Sequence, residues 1–111
     1  MAEPIRFKTS DGKEYVLEFN RRTVSLAEKE GLTLDNIGDK MMSTLPDLFY
    51  FAFKMHHAFI KKDETDRILF DEFHGLTEDE LKQLVELYAA PYDSLINNEG
   101  EEKNLRKVTI L

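Results

Sequence analysis

The sequence predicts a mainly α-helical α+β domain, in which an N-terminal β-hairpin packs on four to five helices. Near the N-terminus, apolar residues alternate with polar ones on both sides of an Asp11-Gly12 turn signal, the pattern of a strand pair. From residue 20 onwards the apolar spacing becomes helical, and capping residues precede the apolar runs. With 111 residues, 41% of them hydrophobic, the chain is long enough to bury one core.

The register of the hairpin follows from its loop length. A two-residue loop, Asp11-Gly12, would pair Phe7 with Val16 and split the apolar residues between two faces. A three-residue loop with Gly12 left-handed pairs Phe7 with Tyr15 instead. We predict the longer loop, because it places five large side chains on one face: Ile5, Phe7, Tyr15, Leu17 and Phe19.

A first helix is predicted from Arg21 to Glu30. Asn20 is a good N-cap, Phe19 and Val24 have the spacing of a hydrophobic staple, and Gly31 marks a left-handed stop. Residues 32–43 are predicted to form a loop that lies against the core.

A central helix is predicted to begin at the cap Thr44 and to end near Lys61, with Pro46 in its first turn. Its polar residues form one narrow stripe, so the helix would be either the buried centre of the domain or a contact with another chain. Few other elements are available to cover it, and we therefore expect self-association. The stripe consists of Asp47, Tyr50, Lys54, His57 and Lys61.

The second half of the chain is predicted to hold two further helices. One runs from Asp63 to Phe73, and the next begins at a Thr77–Glu80 capping box. Pro91 breaks that helix, and residues 92–96 could form another helical turn. We expect one compact domain over residues 1–96 and a flexible segment over residues 97–111. The apolar residues 108–111 could add a strand to the hairpin or remain a free tail.

Charge is distributed unevenly along the chain. The formal net charge is −7, with +1 on residues 1–62 and −8 on residues 63–111. An acidic half repels phosphate backbones, so we expect no binding of nucleic acid. The longest apolar run, Leu48–Phe53, is too short for a membrane helix, and residues 1–4 do not resemble a signal peptide. We therefore expect a cytoplasmic protein without a membrane partner.

No pattern of residues indicates catalysis. The absence of Cys excludes disulfides, thiolate metal sites and a thiol nucleophile, and the Gly spacing excludes a Gly-rich phosphate loop. The adjacent His56 and His57 would point about 100° apart on a helix and could not bind one ion together. We expect structural or surface roles for them and for His74. No catalytic residue, cofactor or metal site is predicted, and the protein is not expected to be an enzyme.

Protein recognition remains, and four residues are candidate partner contacts: Met41, Met42, Phe49 and Phe53. Methionine adapts to varied apolar partners, and the two phenylalanines lie on the predicted central helix. Alternatively, both methionines fill the core beneath the loop.

The sequence also resembles a family of small tail proteins of long-tailed phages and prophages, encoded in the position of the tail assembly chaperone. The resemblance covers roughly residues 5–96. It lies in Gly12–Arg21, Glu30-Gly31, Leu45-Pro46 through Ala52-Phe53, His56-His57, Leu87-Tyr88, Pro91-Tyr92 and Leu95.

The resemblance implies a non-catalytic chaperone in the host cytoplasm that binds the tape measure protein and brings tail tube subunits to it. Two alternatives remain from the residues themselves. One is a structural tail or head–tail joining subunit that self-assembles, and the other is an acidic inhibitor that mimics the charge of DNA.

Overall fold

The computed structural model describes residues 2–95, and over this range the fold is the predicted α+β class. Strands β1 (Ile5–Lys8) and β2 (Glu14–Leu17) form an antiparallel hairpin in the predicted register, with Ile5 opposite Leu17 and Phe7 opposite Tyr15. The Thr9 N–H donates to the Lys13 carbonyl at 2.9 Å and closes a three-residue loop. Gly12 has a φ of 86°, which explains why glycine occupies that position.

Helix α1 (Arg21–Lys29) begins and ends as its capping residues predict. The Asn20 side chain accepts from the Thr23 N–H at 2.9 Å, and the Thr23 hydroxyl accepts from the Asn20 N–H at 2.9 Å. Phe19 and Val24 are both buried, and Gly31 has a φ of 97°. The following loop lies against the core through Leu32 and Ile37, also as predicted.

Helix α2 (Met41–Phe53) is shorter than predicted and begins earlier. Thr44 is not its N-cap: the cap position is Lys40, whose φ is 47°, and the Thr44 hydroxyl instead donates to preceding carbonyls, among them Ile37 at 3.1 Å. The helix ends at Phe53, and residues 54–60 form successive turns rather than the predicted continuation to Lys61.

Helix α3 (Lys62–Arg67) continues directly into a π-helical turn, Ile68–Glu72. After this segment, the Gly75 N–H donates to the Leu69 carbonyl at 2.9 Å. Helix α4 (Glu78–Ala89) begins at the predicted capping box, with Thr77 and Glu80 bonded to each other's backbone N–H. A 3₁₀ helix, Ala90–Ser94, follows at Pro91.

Helix α2 is the centre of the domain, because α1, α3, α4 and β2 all pack on it. Its side chains Leu48, Phe49, Ala52 and Phe53 have no exposed surface. The expectation of self-association assumed a long helix with too few neighbours. That premise is wrong for the observed helix, and self-association itself stays a prediction.

Two predictions concern residues outside the described range. The predicted C-terminal segment 97–111 and the optional strand at 108–111 both lie there. Within residues 2–95, no helix is long and apolar enough to cross a membrane.

Candidate protein-binding surface

Two of the four predicted contact residues, Phe49 and Phe53, belong to the core. Their rings meet edge to face with a centroid distance of 5.0 Å, and Phe53 also meets Tyr15 at 5.4 Å. Phe7 and Phe73 complete this aromatic cluster, with centroids 4.8 Å apart. Neither Phe49 nor Phe53 has any exposed surface, because the hairpin and the Phe73 loop cover this side of α2. In the folded monomer they stabilise the core and are not available to a partner.

The other two, Met41 and Met42, lie at the surface. They occupy the first turn of α2, where Met42 is 91% exposed and Met41 is 38% exposed. The alternative that both methionines fill the core beneath the loop is therefore wrong. Their role in binding a partner stays a prediction.

A further exposed apolar segment, residues 54–60, was missed by the sequence interpretation. Phe59 is 96% exposed, and Met55 and Ala58 are exposed beside it in sequence. The turns are held by backbone bonds and by the Lys54 ammonium, which donates to the Ala58 carbonyl at 3.0 Å. The sequence does carry one indication of this exposed segment. Residues 55–60 contain more apolar side chains than one buried face of a helix can hold, so some of them must be exposed or must contact another element.

Phe70, Leu95 and Leu34 are also exposed, by 52%, 69% and 41%. Phe70 lies in the π-helical turn, while Leu95 lines an apolar groove of about 260 Å³ between α1 and the 3₁₀ helix. Exposed apolar side chains are thus spread over several parts of the surface rather than gathered into one deep pocket.

Both adjacent histidines contact the end of the hairpin. The Val16 N–H donates to His57 Nε2 at 3.0 Å, and His56 Nε2 lies 2.8 Å from Glu18 Oε1. Together with the bond from the Glu18 N–H to the Ala52 carbonyl at 3.0 Å, they cover the outer edge of β2. Their observed contacts are structural, in agreement with the expectation from sequence.

The bond to His57 predicts that acid destabilises the protein. Partial burial lowers the pKa of His57 below its ordinary value of 6.5, and the charge of neighbouring His56 lowers it further. As the pH falls, His57 is protonated in the unfolded chain before it is protonated in the folded one. The contribution of neutral His57 to the free energy of unfolding is therefore complete above pH 6.5 and is lost as the pH falls through the folded-state pKa. We expect a lower urea midpoint at pH 5 than at pH 8.

The His57→Gln variant, which has no titrating ring, should lose part of that pH dependence. His74→Asn is the matched control, since His74 is exposed and its φ of 56° suits asparagine. An equal pH dependence in the wild type and in His57→Gln would contradict this assignment.

Several charged side chains of the described range form ion pairs with structural roles. Arg67 contacts Glu64 at 2.6 Å and Glu72 at 3.6 Å, and Glu72 also accepts from the Ser10 hydroxyl at 2.7 Å. Hydrogen bonds from Arg67 and Ser10 lower the pKa of Glu64 and of Glu72, respectively. This network ties the hairpin loop to the π-helical turn. Across residues 2–95, no group of three or more His, Asp or Glu side chains could hold a metal ion.

Comparison with known proteins gives one match. A family model described as a domain of unknown function, DUF5055, matches residues 1–110. Neither the curated proteins nor the solved structures contain a match to the chain.

Proposed function

The chain belongs to the DUF5055 family, and we propose that it is a non-catalytic tail assembly chaperone of a long-tailed phage or prophage. In this role it binds the tape measure protein in the host cytoplasm and helps the tail tube assemble. The resemblance of residues 5–96 to small tail proteins motivates the choice of partner.

The observation that carries a binding role is the exposure of Met42 and Phe59. A side chain of that size loses about 1.5–3 kcal/mol of favourable burial when it is left in water. Isolated exposed apolar residues are common on proteins, but here one almost fully exposed residue lies in the first turn of the central helix and another lies in the turns that follow it. Methionine and phenylalanine are also frequent anchors for an apolar helix face.

Co-expression tests the proposal. The wild-type chain should keep the tape measure protein of the same phage soluble and should purify with it. The double variant Met42→Asp/Phe59→Asp should recover at least tenfold less complex, since hot-spot anchors contribute 2 kcal/mol or more, about 30-fold in affinity. Gln83→Asp is the matched control, because it adds a charge at an exposed position of α4.

The outcomes separate the proposed function from its alternatives. A tape measure protein that is equally insoluble with and without the wild-type chain would reject the chaperone role. Detection of the chain in purified virions by mass spectrometry would favour a structural tail or head–tail joining subunit, because a chaperone is absent from the finished particle. Salt-sensitive recovery of a DNA-binding enzyme would favour the acidic inhibitor.

A further inference from the structure

The two edges of the hairpin differ. The outer edge of β2 is occupied, because the Val16 N–H donates to His57 Nε2 and the Glu18 N–H donates to the Ala52 carbonyl. Along each strand of an antiparallel pair, the backbone N–H and C=O groups of successive residues point alternately towards the partner strand and away from it. The N–H groups of Arg6 and Lys8 therefore point away from β2. Within residues 2–95 these two N–H groups have no backbone partner, and β1 is a free edge.

The apolar face of the hairpin continues to this free edge. Ile5 and Phe7 point towards the core but are only half-buried, whereas their partners Leu17 and Tyr15 are buried. On the same face lies an apolar cavity of about 80 Å³, to which Ile5 contributes. Its volume is several times what one buried water requires, so it can take a small aliphatic side chain. An added strand would direct every second side chain towards this region.

The opposite face of β1 is basic. Arg6 and Lys8 are exposed, Arg6 lies opposite the uncharged Val16, and Lys8 makes only an exposed 3.8 Å pair with Glu14. Pairing of β1 with β1 of a second copy would bring like charges together. In the chain's own C-terminal sequence, Arg106 and Lys107 precede the apolar residues 108–111, and they are basic as well.

We propose that the free edge of β1 binds an extended segment of a protein partner in which apolar residues alternate with acidic ones. The backbone of that segment bonds to Arg6 and Lys8, its apolar side chains cover Ile5 and Phe7, and its carboxylates pair with the two basic side chains. This surface is separate from Met42 and Phe59, and the inference does not depend on the proposed function.

A pair of synthetic peptides tests this binding mode with the full chain. One capped hexapeptide alternates glutamate with valine, and its matched control alternates lysine with valine. The glutamate peptide should bind, and NMR should show at least tenfold slower amide exchange at Arg6 and Lys8 on saturation. The amides of Ile5 and Phe7 should change little, because they already face β2.

Two variants separate the charges from the backbone. Arg6→Glu/Lys8→Glu should reverse the preference in favour of the lysine peptide, by about tenfold in affinity. Lys8→Pro removes an outward N–H without removing a bond to β2, but it also removes a charge, so it is compared with the control Lys8→Ala. Lys8→Pro should bind the glutamate peptide more weakly than Lys8→Ala does, while the urea midpoint is retained.

The remaining outcomes each overturn the proposal. Failure of the glutamate peptide to slow exchange at Arg6 and Lys8 rejects strand addition by such a segment. Slow exchange of these amides in the free chain at every protein concentration shows that the chain's own residues occupy the edge. Slow exchange that appears only as the protein concentration rises shows that a second copy does.

Discussion

Replacing Phe49 or Phe53 by alanine is expected to lower the free energy of unfolding by about 3–5 kcal/mol. Both side chains are completely buried, and each ring packs edge to face against other aromatic rings of the core. Removing either ring leaves a cavity in the middle of the domain, where α2 packs against the hairpin. Because a domain of this size is stabilised by only about 5–15 kcal/mol, such a loss is severe.

Urea unfolding followed by circular dichroism measures this loss. Phe59→Ala is the matched control: the same substitution at a 96% exposed position should change stability by no more than about 0.5 kcal/mol. If Phe49→Ala were as mild as Phe59→Ala, the assignment of Phe49 to the core would be wrong.

The same comparison affects how binding data are interpreted. A partner that is lost on Phe49→Ala reports a destabilised domain and not a lost contact. A partner that is lost on Phe59→Ala, with an unchanged urea midpoint, reports a contact. The exposed positions Met42 and Phe59 are therefore the informative sites for mapping a partner.

The parts of the fold that local rules determine could be predicted from sequence. Only one loop length places all the apolar residues of the hairpin on one face, so the register of Phe7 and Tyr15 was predictable. The N-cap at Asn20 and the capping box at Thr77 depend on side chains within three residues, and both form as predicted.

The end of α2 could not be predicted in this way, because distant contacts determine it. Residues 54–60 contain neither glycine nor proline, and their composition is compatible with a helix. His56 and His57 instead bond to Glu18 and Val16, some 40 residues earlier in the chain. These contacts compete with the continuation of the helix. Phe59 is exposed because the helix ends at Phe53. The wrong prediction of this helix end is therefore also the reason why Phe59 was not among the predicted contact residues.

The start of α2 also differs from the prediction, and this difference places Met41 and Met42 in the helix. Met41 and Met42 were predicted to belong to a loop, and Thr44 to cap the helix. The left-handed Lys40 begins the helix earlier and has no side-chain cap bond, an arrangement that propensity rules do not favour. Met42 is then a helical residue at an exposed end, whereas the helix beyond Pro46 supplies the core.

Replacing Tyr88 by phenylalanine is expected to lower the free energy of unfolding by about 1–3 kcal/mol. Tyr88 is fully buried, and its hydroxyl donates to the Leu32 carbonyl at 2.8 Å, joining α4 to the loop after α1. Burial raises the pKa of Tyr88, so the hydroxyl stays protonated and remains a donor. The variant keeps the ring but leaves a buried carbonyl without this bond.

Tyr92→Phe is the matched control for Tyr88→Phe. The Tyr92 hydroxyl donates to the Glu28 carboxylate at the surface, where water can replace it after substitution. Its loss should therefore cost less than 1 kcal/mol in the same urea titration. Amide exchange in residues 32–37 should accelerate in Tyr88→Phe and not in Tyr92→Phe, because Tyr88, unlike Tyr92, donates a hydrogen bond to that loop. Equal effects of the two substitutions would mean that the buried hydrogen bond does not determine the position of the loop.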